Sequence, residues 1–237
     1  MATEHTEVCH IPIDSGGHLT GDLVIPSHAV AVVVFAHGSG SSRLSPRNRA
    51  VARYLRSRGL ATLLMDLLTP AEEERDVVTR EHRFDIAMLG ERVIQTLDWL
   101  DDRPDAAHLP LGCFGASTGA AAALLGAAAR AERVGAVVSR GGRPDLAGEA
   151  LRLVQAPTLL IVGGNDPQVI ELNRSAAEKL RCDVRLHVVA GATHLFEEPG
   201  AMEEVQHLTA DWFLARLAPD ATTGPSTPST PSTSTEG

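Results

Sequence analysis

The stretch of residues 111–119 reads LGCFGASTG, and its pattern decides the fold of the chain. It opens with a short apolar run typical of a buried strand, and an alanine-rich helical run follows it directly. Between the two, Ser117 stands between Gly115 and Gly119. A sharp turn from strand to helix needs such small neighbours, because the turn is crowded and its backbone is strained. The pattern predicts a turn that projects the Ser117 hydroxyl from the carboxyl end of a strand.

Two further polar residues follow apolar runs later in the chain. Asp166 comes after the run 157–162, and His194 comes after the run 184–189. A serine, an acid and a histidine in this order form one of the known arrangements of a catalytic triad. Asp145, which follows the preceding predicted strand, is the rival candidate for the acid.

Strand and helix patterns alternate along the rest of the chain. An opening hairpin is predicted over residues 8–13 and 18–25, and later strands over residues 30–36, 61–66, 109–114, 134–139, 159–162 and 184–189. Helices are predicted from residue 45 and over 84–101, 120–130, 169–180 and 202–215, with a short helix after residue 144 and a charged connection over 67–83. This alternation predicts an α/β fold, a mainly parallel sheet of about eight strands with helices on both faces. The short interval between residues 139 and 158 leaves no room for a large cap domain.

Composition limits the class of function. The 237 residues suit one domain over residues 1–218, and the Pro/Ser/Thr-rich residues 219–237 are expected to be a disordered tail. A net charge of −9 argues against nucleic acid as a partner. No apolar run is long enough to span a bilayer, and the polar start is unlike a signal peptide. Three cysteines, an odd number, are expected to be reduced thiols in a cytoplasmic protein.

The predicted triad assigns a role to each residue. Ser117 would be the nucleophile, His194 the base that removes its proton, and Asp166 the acid that orients the imidazole. Two backbone N–H groups must stabilise the oxyanion, and the expected donors are Thr118, which follows the nucleophile, and Ser39 in the glycine-rich loop after the third strand. Gly40 is the near alternative to Ser39.

The chain resembles the α/β-hydrolase superfamily, and within it the dienelactone-hydrolase-like branch. The motifs that carry the resemblance are His37–Gly40, Gly115–Gly119, Gly164–Pro167 and Ala192–His194, and the resemblance extends to about Leu217. It implies hydrolysis of an ester, lactone or thioester with no metal and no organic cofactor. Dienelactone hydrolases proper use a cysteine nucleophile, whereas the elbow here carries Ser117, and Cys113 is expected to be a core residue. The expected enzyme is therefore a serine esterase.

Three arginines bear on the substrate. Arg140 and Arg143 follow a predicted strand beside the site, and Arg43 lies on a neighbouring loop. They could recognise an acidic or phosphorylated substrate, or simply pair with nearby acids such as Glu197, Glu198 and Asp145.

Three functions fit the sequence. The first is a serine hydrolase that cleaves small carboxylic esters through an acyl-enzyme intermediate. The second is a thioesterase or lactonase with the same triad. The third is a non-catalytic ligand-binding or partner-docking module on a hydrolase scaffold. For the enzymes the expected partner is a small-molecule ester, lactone or thioester, with no nucleic acid and no membrane.

Overall fold

A computed structural model describes residues 6–218 of the chain, and within them eight strands form a single sheet. The strands are β1 (Glu7–Pro12), β2 (His18–Val24), β3 (Val32–Ala36), β4 (Ala61–Met65), β5 (Leu111–Ala116), β6 (Val134–Arg140), β7 (Thr158–Gly163) and β8 (Val184–Val189). The α-helices are α1 (Pro46–Ser57), α2 (Pro70–Thr79), α3 (Ile86–Asp101), α4 (Gly119–Ala129), α5 (Pro167–Lys179) and α6 (Ala201–Leu217). A 3₁₀ segment, Pro144–Leu153, connects β6 to β7. The predicted tail lies outside the described residues.

The strand order confirms the predicted α/β fold. It runs β1-β2-β4-β3-β5-β6-β7-β8, with antiparallel pairing only where β2 meets β1 and β4. Every other neighbouring pair is parallel. Parallel strands have their carboxyl ends at the same edge of the sheet, so the loops after β3, β5, β7 and β8 lie together at that edge.

Two hydrophobic cores cover the two faces of the sheet. Successive side chains of a strand point to opposite faces, and in β3 Val34 belongs to one core while Phe35 belongs to the other. Helices α3 and α4 pack together on the first face, and α1 and α6 pack together on the second. All residues of β3 and β5 are buried, which explains why both strands read as continuous apolar runs.

The structure differs from the sequence prediction in the charged connection before α3. Residues 70–79 of this connection form helix α2. The Thr69 side chain accepts a hydrogen bond from the Glu72 amide, and the Glu72 carboxylate accepts one from the Thr69 amide. This reciprocal capping box, with Pro70 at the first helical position, was a readable start signal. Within residues 6–218, every helix is too short or too polar to cross a bilayer.

Candidate active site

Ser117 occupies a strained turn between β5 and α4. Its φ angle is +51°, in the left-handed region that side chains rarely adopt. A Cβ atom on Gly119 would lie 2.3 Å from the carbonyl oxygen of Ala36, and one on Gly115 would lie 2.3 Å from Cα of Ala120. Only glycine fits at either position, so the pattern of small residues follows from close backbone contact.

Cys113 lies in the interior of β5 and is 1% exposed. Burial in this apolar environment raises the pKa of its thiol to about 12. A thiol that stays protonated is a poor nucleophile, so the expectation that Cys113 is a core residue agrees with its position.

Asp166 and His194 are in direct contact. Asp166 follows β7, His194 follows β8, and Oδ2 of Asp166 lies 2.7 Å from Nδ1 of His194. The backbone between them is fixed as well, because the Asn165 amide donates to the carbonyl of Ala192 at 2.9 Å. This arrangement holds the imidazole with Nδ1 toward the carboxylate and leaves Nε2 available for a proton.

Asp145, the rival acid, is engaged elsewhere. Its two carboxylate oxygens accept hydrogen bonds from Nε and Nη2 of Arg143 at 2.9 and 2.8 Å. The structure therefore places Asp166, and not Asp145, against His194.

Ser117 and His194 line the same cavity, of about 170 Å³. Its other lining residues come mainly from the loop after β3, the start of α1 and the end of β6: Gly38, Ser39, Ser41, Ser45, Arg47, Asn48, Ala116, Arg140, Gly141 and Leu195. Among the described hydrogen bonds, none joins Ser117 Oγ to the His194 ring. A larger groove of about 530 Å³ lies beside α1, and its lining includes none of the three predicted triad residues.

The two predicted oxyanion donors lie side by side, and one of them is already engaged. The Ser39 amide donates a hydrogen bond of 2.8 Å to Oγ1 of Thr118. The Thr118 amide stands at the N-terminus of α4, where backbone N–H groups lack partners within the helix. An oxyanion bound by both amides would have to displace the Thr118 hydroxyl from Ser39.

His37 supports this loop, a role that the sequence prediction did not assign. The Leu67 amide donates to Nε2 of His37 at 3.0 Å, and Nδ1 lies 2.9 Å from the Gly38 carbonyl. Because Nε2 accepts, this network assigns the proton to Nδ1, which donates to Gly38. Burial lowers the pKa of His37, so the neutral ring is favoured. The sequence feature that could have predicted this supporting role is a histidine directly after a continuously apolar strand and before a glycine.

Arg140 is the one predicted arginine that lines the cavity. Its side chain is buried, and Nη2 donates a hydrogen bond of 3.2 Å to Oδ1 of Asn48. Burial, aided by the positive charge of Arg47, lowers its pKa to about 10, so it remains a cation at neutral pH.

The other two arginines pair with neighbouring acids, which was the alternative to substrate contact. Arg43 pairs with Asp66 at 2.6 Å and with Asp22 at 3.3 Å, and Arg143 pairs with Asp145. Neither arginine lines the cavity that holds Ser117. Their charges are neutralised by neighbouring carboxylates instead.

No group of three or more His, Cys, Asp and Glu side chains in residues 6–218 is placed to hold a metal ion.

Solved structures show close likeness to hydrolases. The crystal structure of a dienelactone hydrolase from Anabaena variabilis matches with a TM-score of 0.88 and 54% identity, over 90% of this chain and 99% of that one. A dienelactone hydrolase-like promiscuous phosphotriesterase from metagenomic libraries shares the fold, with a TM-score of 0.72 and 19% identity over 91% of this chain and 99% of that one.

A curated relative carries a different name. A Mycobacterium tuberculosis protein named "putative phosphoribosyl transferase" is 54% identical over 217 residues. These residues make up 92% of this chain but only 47% of that protein, so the chain spans about half the length of the curated relative. The model of the dienelactone hydrolase family matches residues 19–216, which is most of the chain. The fold, the elbow and these matches together establish that the chain belongs to the dienelactone hydrolase family.

Proposed function

We propose that the chain is a serine hydrolase that cleaves small carboxylic esters through an acyl-enzyme intermediate. The observation that carries the proposal is the 2.7 Å contact between Asp166 and His194, at a cavity that Ser117 also lines. Membership of the dienelactone hydrolase family supports hydrolysis as the reaction class.

Acylation begins when Ser117 Oγ attacks the carbonyl carbon of the ester. Nε2 of His194 takes the hydroxyl proton as the new C–O bond forms, and the Asp166 carboxylate stabilises the imidazolium. This step requires the His194 ring and Ser117 to come into hydrogen-bond contact, because none of the described hydrogen bonds joins them. Such tightening on substrate binding is common in catalytic hydrogen bonds.

The negative oxygen of the tetrahedral intermediate would be held by the amides of Thr118 and Ser39. His194 then gives its proton to the leaving alcohol as the C–O bond to that group breaks. Water, deprotonated by the same histidine, attacks the acyl carbon, and collapse of the second intermediate returns the proton to Ser117 and releases the acid.

Labelling and turnover test the proposal together. Wild-type protein should react with a fluorophosphonate probe and hydrolyse short 4-nitrophenyl esters, whereas Ser117→Ala should do neither. Ser175→Ala, which changes an exposed serine of α5, is the matched control. Unchanged turnover in Ser117→Ala would refute the mechanism, and a wild type that neither labels nor turns over would favour the binding-module alternative. Parallel thioester and lactone series would identify the preferred leaving group.

The name of the M. tuberculosis relative suggests another reaction for a protein about twice as long. We assign hydrolysis to the shared segment because Ser117, Asp166 and His194 all lie within it, and the transferase name to the remainder of that relative. Incubation of this chain with phosphoribosyl diphosphate and a purine base should yield no nucleotide. Nucleotide formation would overturn the assignment.

A further inference from the structure

The larger groove beside α1, called the α1 groove below, carries an excess of positive charge. Arg49, Arg53 and Arg56 line it, and their spacing of four and then three residues places them on one face of the helix. Asp22 is the one acid among the described residues of the lining, and it already pairs with Arg43 at 3.3 Å. This local excess of positive charge contrasts with the chain as a whole, whose net charge is −9.

Arg49 and Arg53 differ from other arginines of the same helix because they have no acidic partner. Arg47 and Arg58, at the two ends of α1, form ion pairs with Glu197 and with an aspartate of α6, at 3.4 and 3.5 Å. None of the ion pairs within residues 6–218 includes Arg49 or Arg53, and both side chains are exposed. Like charges one helical turn apart repel each other, and an anion between them would remove that repulsion.

The α1 groove is large enough for a ligand that has an organic group as well as a charged one. Its volume of about 530 Å³ is about three times that of the Ser117 cavity, at about 170 Å³, and falls within the usual range for small-molecule sites, about 300–1,000 Å³. Its arginines extend over about 10 Å of the helix axis, which exceeds the length of one phosphate group. Val24 and Leu64 form an apolar part of the lining, and Leu44, also in the lining, is 49% exposed. Such a surface suits a ligand that joins several negative charges to an apolar group.

We propose that the α1 groove binds a diphosphate ester, with the diphosphate held by Arg49 and Arg53 and the organic group against Leu44. A guanidinium donates two parallel hydrogen bonds to phosphate oxygens, and two guanidiniums whose Cβ atoms lie about 5–6 Å apart can each hold one phosphate of the pair. Arg56 adds positive charge at the end of the row, and its Nη1 donates to Oγ1 of Thr62 at 3.2 Å. The site lies apart from the proposed catalytic one, because its lining includes none of the three triad residues.

Calorimetric titration with three probes tests the site. ADP carries both a diphosphate and an organic group, inorganic diphosphate carries the charge alone, and adenosine carries the organic group alone. Wild-type protein should bind ADP most tightly, inorganic diphosphate at least threefold more weakly, and adenosine not measurably. Arg49→Gln/Arg53→Gln should weaken ADP binding at least tenfold, whereas Arg152→Gln/Arg174→Gln, which removes two exposed arginines elsewhere, should leave it unchanged. If wild type binds neither ADP nor inorganic diphosphate, or if Arg49→Gln/Arg53→Gln binds ADP as tightly as wild type, the proposal is wrong.

Two further measurements locate the ligand within the groove. Leu44→Ser should weaken ADP binding several-fold and leave the affinity for inorganic diphosphate unchanged; an equal effect on both probes would refute the contact with the organic group. Saturating ADP should leave fluorophosphonate labelling of Ser117 unchanged, and slower labelling would place the anion in the Ser117 cavity and overturn the proposal. The titrations need no catalytic activity, so ADP binding by a wild type that fails to label would refute the hydrolase alone.

Discussion

Replacement of Asp166 by asparagine should disable the site while it preserves the fold. The carboxylate accepts the Nδ1 proton of His194 at 2.7 Å and is mostly buried, with 18% of its side chain exposed. An asparagine in its place can present an N–H group to Nδ1, which moves the imidazole proton to Nε2. His194 could then no longer accept the proton of Ser117. An equivalent change in a serine protease lowers kcat by about 10⁴.

The expected loss here is smaller, because solvent can partly replace the lost partner. The His194 side chain is 41% exposed, so water can reach the ring and support the productive tautomer in a fraction of molecules. We expect kcat/KM for 4-nitrophenyl acetate to fall by about 10³, or about 4 kcal/mol at 1.36 kcal/mol for each factor of ten. Labelling by the fluorophosphonate probe should slow in parallel.

Asp145→Asn is the matched control for this change. It removes the ion pair with Arg143 and at least one of the two hydrogen bonds, but leaves the contact between Asp166 and His194 intact. Its kcat/KM should stay within about threefold of wild type, by the rule that changes outside the reacting groups cost little activation energy. A loss of less than tenfold in Asp166→Asn, or an equal loss in Asp145→Asn, would refute the assignment of the acid.

Three further perturbations probe the scaffold of the site. Gly119→Ala should lower the free energy of unfolding by about 3 kcal/mol or more, because its Cβ would lie 2.3 Å from a backbone oxygen; an unchanged urea midpoint would contradict this. The pKa of His37 is lowered in the folded protein, so below pH 6.5 the unfolded chain binds more protons than the folded chain. The free energy of unfolding should therefore decrease as the pH falls from 6.5 toward the folded pKa, by up to about 1.4 kcal/mol per pH unit. Urea unfolding at several pH values should show that the free energy of unfolding depends less steeply on pH in His37→Gln than in wild type. An equal dependence would contradict this explanation. Thr118→Val removes the hydroxyl that accepts from the Ser39 amide, so it should lower the free energy of unfolding by about 1–2 kcal/mol. It should also speed labelling by the fluorophosphonate probe several-fold. Slower labelling would show that the hydroxyl does not compete with the oxyanion.

Much of the architecture was predictable because it depends on local rules. Continuous apolar runs predicted the central strands, and the glycines around Ser117 predicted the elbow, since both signals arise from backbone geometry and burial. The shared sheet edge then predicted that Asp166 and His194 would lie close together, as they do. Helix α2 was missed although its capping box is local, because its charged residues suggested a loop.

The roles of the arginines were not predictable in this way. Arg43 is neutralised by Asp66, 23 positions away, and this pairing depends on tertiary distance. Arg140 and Arg143 are three residues apart in the chain, yet one is buried in the cavity and the other pairs with Asp145. The same holds for the Ser39 amide, whose acceptor on Thr118 lies 79 positions away. Charge and sequence position alone do not distinguish these environments.

The left-handed backbone conformation of Ser117 lowers the stability of the fold at the residue that is proposed to react. A side chain in that conformation costs about 1–2 kcal/mol that glycine would not incur. The rest of the elbow must therefore offset this strain to keep a hydroxyl at the cavity. Glycine at this position would relieve the strain and lose the hydroxyl, so Ser117→Gly should raise stability and abolish the proposed reaction.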